Sequence, residues 1–269
     1  MKKILFVIHF FAIALVTTAQ SKVNLTIGQK IASVSGMKIE TSMNMGMQMD
    51  IVNDMTIKSS MGVMKENKEN YEVALNITAM KIAVSGAGQS MNFDSENPDD
   101  MKSEAAGEMA GKLNKPMTFF LDKKTGKATP ADSAMLKGAD NPFASGADPN
   151  QVMGDLIFAL PANAKVGDTW KDSTVSDGLK SYNTNKIISL NNGVAVVEVT
   201  SILDGEKDVD IQGMSSKMTM KTNSISKVTV NSKSSVVLSK EISSDTDASM
   251  DIMGNTVPMT IKVTGNVAN

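Results

Sequence analysis

The sequence predicts a mainly β fold, an antiparallel sheet strongly twisted into an open barrel or sandwich, with two short helices packed on it. Three observations predict it. Apolar residues alternate with polar ones over long stretches, the pattern of a strand with one buried and one wet face. Compact turn signals such as Asn192-Gly193 separate those stretches, so neighbouring strands run antiparallel. Only two segments switch to helical spacing.

The chain opens with a basic start at Lys2 and Lys3, an apolar run from Ile4 to Val16 and small residues at Thr17, Thr18 and Ala19. This is the three-part build of a secretory signal peptide, with cleavage expected after Ala19 or Gln20. The apolar run is shorter than the roughly 20 residues that a membrane span needs. Residues 1–20 are therefore read as the signal and 21–269 as a single mainly β domain, with a possible split near 130–150. No cysteine is present to be acylated or to form a disulfide. The expected address is the periplasm or the exterior, with no stable membrane span after signal cleavage.

The first strand pattern places Met37, Ile39, Met43, Met45, Met47, Met49, Ile51, Met55 and Ile57 on odd positions. Kept parity fits one long, bent strand or a hairpin whose loop has an odd number of residues around Gly46, and the first is preferred. Tyr71, Val73, Leu75 and Ile77 continue on odd positions, then Met80, Ile82 and Val84 on even ones, which predicts a β-bulge near Ala79. A helix follows, with Asn97 as cap, Pro98 at its first position and Met101, Ala105, Met109 and Leu113 on one face. Phe119 to Pro130 reads as a hairpin turning within Asp122 to Gly126. Pro130 to Asn150, rich in Gly, Ala, Asp and Pro, reads as a loop. A second helix is expected from Asp148 and Pro149 through Val152, Met153, Leu156 and Ile157 to a stop before Pro161. Lys186 to Leu203 is a hairpin around Asn192-Gly193. Val209 to Thr222, Ile225 to Val230, Ser235 to Ile242 and Val257 to Val263 complete the strands.

Leu160 to Ser173, LPANAKVGDTWKDS, holds the only tryptophan. Leu160, Pro161, Val166, Gly167, Asp168 and Trp170 resemble the L-P-x-x-x-V-G-D-x-W element of an uncharacterised family of secreted Bacteroidota proteins. The resemblance implies a signal peptide and mostly β structure, and brings no activity. Physically, Pro161, Gly167, Asp168 and Trp170 read as a structural corner, with a turn at Gly167-Asp168 and a strand that buries Trp170.

Composition excludes several chemistries. The one histidine, His9, lies in the signal, and no cysteine or arginine occurs. The mature chain therefore lacks a Ser-His or Cys-His nucleophile and any His or Cys zinc site. No enzyme activity, catalytic residue, metal centre or cofactor is expected. Without arginine or a basic face, nucleic acid is not an expected partner. Two S-x-x-K matches, Ser35 to Lys38 and Ser224 to Lys227, fall in strand patterns where residues three apart face opposite ways.

The methionines, 22 in a chain with only 4% aromatics, carry the functional expectation. Unbranched thioethers adapt to variable shapes, yet methionine lacks the β-branch that strands favour. The reading is an apolar ligand, a lipid or acyl chain, held on a Met-rich concave face by Met43, Met45, Met47, Met49, Met218 and Met220. Architecturally this looks like the half-barrel of periplasmic lipoprotein carriers. Two alternatives stay open: a structural or adhesive module with a solid Met-rich core, and Cu(I) or Ag(I) binding by thioethers. Oligomeric state is not legible.

Overall fold

The computed structural model describes residues 22–44, 46–86, 88–103, 106, 113–132, 150, 153–176, 178–211, 214–252 and 255–269. The signal segment, Met45, most of both expected helices and most of the Pro130 to Asn150 stretch lie outside them.

Twelve strands form one antiparallel sheet: β1 (Lys30–Asn44), β2 (Gln48–Glu66), β3 (Asn70–Gly86), β4 (Gln89–Asp94), β5 (Met117–Asp122), β6 (Ala128–Pro130), β7 (Thr169–Ser176), β8 (Leu179–Asn191), β9 (Val194–Ile211), β10 (Met214–Asn231), β11 (Val237–Ile252) and β12 (Asn255–Ala268). The order is β6-β5-β3-β2-β1-β12-β11-β10-β9-β8-β7, with β4 also on β3. The first and last strands pair, and β7 lies at the opposite end of the sheet from β6, so the sheet stays open.

Several sequence expectations are met in register. The parity switch in β3 is a bulge at Thr78, since Lys58 pairs with Ala79 and Ser59 with Ile77. Asn192 and Gly193 take φ 50° and 79°, the positive pair that a tight two-residue hairpin demands. Asp122 to Gly126 turns β5 into β6: Asp122 Oδ1 accepts from the Lys124 and Thr125 N–H groups at 2.9 and 2.7 Å.

Others are corrected. Met37 to Ile57 is not one long strand: Asn44 pairs with Gln48, closing a three-residue loop in which Gly46 has φ 86°. An odd loop preserves parity, so alternation alone could not reveal the turn. Val209 to Thr222 is likewise split, β9 ending at Ile211 and β10 starting at Met214, while Thr222 to Val230 is unbroken. Two helices packed on the sheet are not shown: most of their residues lie outside the described ones, and among the described residues the one helical element with bounds is a 3-10 turn, Asp100–Lys102. Near the second site, the Gly154 and Ile157 N–H groups donate to Asn150 and Met153 carbonyls in single α-type turns. Ile157 then bridges Val236 on an extended path, which also removes the expected helix stop at Pro161.

Two core clusters lie at one end of the sheet. One joins Ile31, Met61, Val73, Leu75, Phe119 and Leu121 to Met153, Leu156 and Ile157; the other joins Leu160, Ile187, Val197, Val228 and Val237. The chain from Val23 to Leu25 ties distant strands together there. Val23 N–H donates to the Lys123 carbonyl in the β5–β6 turn, and Asn24 N–H to the Ser234 carbonyl in the β10–β11 turn. Those turns are far apart in the sheet order, so the sheet curls around this end, with its core-bearing face inside.

Lys123 staples the same end. Its side chain is buried, donates to Glu66 Oε1 and the Asn67 carbonyl at 2.6 Å each, and lies 4.6 Å from the Tyr71 ring centroid. Tyr71 Oη in turn accepts from the Leu25 N–H at 3.2 Å.

Candidate functional site on the inner face

Beyond the capped end, register defines the inner face row by row. One row runs Phe93, Ile82, Met55, Met37, Gly265, Ile242, Ser226, Val199, Asn185 across nine strands. The next is Met91, Val84, Asn53, Ile39, Val263, Ser244, Ser224, Ser201, Asn183, and the third contains Ile51, Thr41, Ile261, Thr246, Thr222, Leu203 and Ser181. Neighbours across strands are about 4.8 Å apart and successive rows on one face about 6.7 Å.

These rows divide lengthwise. The half on β4, β3, β2, β1 and β12 is aliphatic and Met-rich, whereas β11, β10, β9 and β8 present mainly Ser, Thr and Asn. Thr222 and Thr246 share a hydrogen bond of 2.7 Å on this polar half. None of the named positions is charged, but Asp172 on β7 continues the second row, and its carboxylate accepts from the Asn183 and Asn185 amides at 2.5 and 2.9 Å. The aliphatic half is not filled as a core is: Ile39, Ile51, Met55, Ile82, Val84, Ile261 and Val263 are half-buried, and Met37 and Met91 are each 36% exposed.

A Met row follows at the open end: Met49, Met43 and Met259 sit side by side on β2, β1 and β12, and Met220 lies beyond Ala248 on β10. Met218 pairs with Met250 one row further. Met43, Met218, Met220 and Met250 pack, partly buried, against Ala248, Val257 and Met259. Of the six methionines singled out by sequence, the structure thus gathers Met43, Met49, Met218 and Met220. Met47 points away on the hairpin turn at 72% exposure, and Met45 is outside the described residues. Met250 and Met259 were missed because each stands alone in a Ser- and Thr-rich stretch; the even parity of Met250 with Ala248 and Thr246 was the available signal.

The corner residues sit at the capped end. Gly167 has φ 92°; its N–H donates to the Ile187 carbonyl at 2.9 Å, and Asp168 Oδ2 accepts the Lys165 N–H at 2.8 Å. Pro161 follows buried Leu160. Trp170 opens β7 half-buried, tilted 58° against Phe158 at 6.2 Å between centroids, and packs on the second core cluster.

The outer face has opposite chemistry. Lys180, Asp204, Lys221 and Asp247 stand in one cross-strand row of alternating charge, as do Glu40, Lys262 and Asp245. A shallow cavity of about 750 Å³ lies over the first row. Groups with displaced ionisation are at the outer face or end turns: a mutual hydrogen bond raises Lys38 and lowers Glu40, and Ser42 and Gln48 hold Asp50 low. Among the described residues no group of three His, Cys, Asp or Glu could hold a metal ion, and no helix is long and apolar enough to cross a membrane.

Fold and face together define an open, capped antiparallel sheet whose inner surface carries few charges, among them Lys240 at the capped end, Asp172 on β7 and Lys207 beside Met218. The profile of a family of unknown function (DUF6263) matches residues 149–237, a stretch that includes β7, β8, β9 and β10. No curated protein matches. Among solved structures, an outer membrane channel from Pseudomonas putida F1 is similar at 11% identity, with 92% of this chain and 97% of that chain covered and a TM-score of 0.25. A mutant Rh. blastica porin is similar at 8% identity, with 89% and 99% covered and a TM-score of 0.22. Neither likeness carries a functional inference.

Proposed function

We propose that this chain is a non-enzymatic envelope protein, exported by its N-terminal signal, that holds an apolar ligand such as a lipid or acyl chain on the inner face. The observation that carries the reading is the aliphatic half of that face, whose Ile, Val and Met side chains are only half-buried, Phe93 alone being fully buried there, while the same face is fully packed at the capped end. Contiguous apolar surface left open to solvent marks a binding site more often than chance. Charged cross-strand rows on the outer face are the reverse of what lipid-facing strands present, which supports a protein that takes up its ligand without spanning a bilayer. The absence of His and Cys from the mature chain supports a binding role over catalysis.

Titration with the apolar dye N-phenylnaphthylamine tests this. The mature protein should enhance its fluorescence saturably, and the paired change Ile39→Asn and Ile261→Asn should remove the enhancement without unfolding the chain. No enhancement by the wild-type protein sinks the reading and leaves the structural or adhesive module as the better account.

The adjacency of Met49, Met43 and Met259 favours one second reading, thioether capture of Cu(I) or Ag(I). Soft monovalent ions select sulfur ligands, and thioethers do not titrate near neutrality. Silver binding in chloride-free buffer should then be unchanged between about pH 5 and 8, and replacing the three residues by leucine should abolish it.

A further inference from the structure

We infer that the ligand is an uncharged amphiphile whose head carries hydroxyl groups, its tail lying along β2, β1 and β12 and its head on β8, β9, β10 and β11. This rests on the apolar-ligand reading and adds the chemistry of the head. Two observations carry it. In the three rows beyond the capped end, the inner face from β4 to β8 has no Lys, Asp or Glu, although the outer face of the same strands is laced with them; Asp172 on the edge strand β7 is the one charged neighbour, and its carboxylate accepts from the Asn183 and Asn185 amides at 2.5 and 2.9 Å. A phosphate or carboxylate placed there would lose water and gain no counter-charge, and the one carboxylate that an ammonium could meet, on Asp172, already accepts from Asn183 and Asn185.

The second observation is the polarity step across the β12–β11 boundary. Val263 pairs with Ser244, and the row continues through Ser224, Ser201 and Asn183; Ile261 pairs with Thr246, and that row continues to Thr222. Hydroxyl and amide side chains both donate and accept, which matches a sugar or glycerol head, itself a field of donors and acceptors without net charge. Thr222 and Thr246 bond each other and Asn183 bonds Asp172, but a ligand of hydrocarbon alone would still set the Ser201, Ser224 and Ser244 hydroxyls against an apolar surface. A tail on one half and a hydroxylated head on the other satisfies both halves together.

The test is displacement of N-phenylnaphthylamine from the mature protein by monomeric detergents that share a dodecyl chain: dodecyl maltoside, dodecylphosphocholine, dodecyl sulfate and dodecyltrimethylammonium. Dodecyl maltoside should displace the dye at about tenfold lower concentration than any charged or zwitterionic partner. In the triple variant Ser201→Ala, Ser224→Ala and Ser244→Ala that advantage should shrink to about twofold, measured against the variant's own dye affinity and thermal melt. Equal displacement by all four heads, or an advantage untouched in a folded triple variant, overturns the inference while the apolar-ligand reading stands. Failure of the dye itself to bind overturns both.

Discussion

Leu75 and Leu121 at the capped end are wholly buried, whereas Ile39 and Ile261, on the same face of the same sheet, stay half-exposed. The difference is what faces them. At the capped end the Val23 to Leu25 chain, Met153, Leu156 and Ile157 fill the curl of the sheet. Further along, no such segment fills the curl among the described residues, and only the small cluster of Ala248, Val257 and Met259 with its neighbouring methionines is packed. One end is built for stability, and the other keeps apolar surface available.

The largest effects of mutation should separate these regions. Leu75→Ala or Leu121→Ala should cost about 2–5 kcal/mol in chemical denaturation, because a fully packed site loses both transfer energy and contacts. Ile39→Ala and Ile261→Ala should each cost under about 1 kcal/mol, since half-exposed side chains have less to lose. Comparable losses at both ends would erase the distinction.

Lys123 sharpens the comparison from the polar side. Lys123→Met should cost about 2 kcal/mol, the loss of charged hydrogen bonds to Glu66 and the Asn67 carbonyl at the cap. Its partner supplies a pH signature. The hydrogen bond from Lys123, reinforced by its charge, holds Glu66 below its ordinary value of 4.5. A depressed carboxyl contributes stability above its unfolded pKa, and that contribution is lost as pH falls through the folded one. Thermal melts from neutral pH into acid should therefore fall less steeply for Glu66→Gln than for the wild type.

The smallest effects belong to the methionines. Met43→Leu and Met259→Leu should each cost less than about 1.5 kcal/mol, as volume-conserving swaps do, and Met47→Gln on the exposed turn should not move the melting temperature measurably.

How much of this was legible in the sequence depended on parity. Odd positions of β1 from Ile31 to Met43 and of β2 from Met49 to Met61 do line the inner face, and the Ala79 parity switch located a real bulge, because a strand shows its inner face every second residue. The hairpin at Gly46 was hidden by the same rule, since a three-residue loop returns the chain in phase. The gathering of Met43 and Met49 with Met218 and Met220 followed from short connections, but Met259 between them required the pairing of the first strand with the last. That contact joins the two ends of the chain, and no local pattern encodes it. The hydroxyl half stayed unread because Ser224 and Ser226 look like solvent-facing residues; only their shared parity with Val228 and Val230 turns them inward.

The central claim, that the open half of the inner face holds an apolar ligand, is met most directly by native mass spectrometry of the mature protein purified from its own host. The account predicts a co-purifying mass of lipid size that disappears from the paired Ile39→Asn and Ile261→Asn variant. A clean apo mass that takes up no added amphiphile would contradict it.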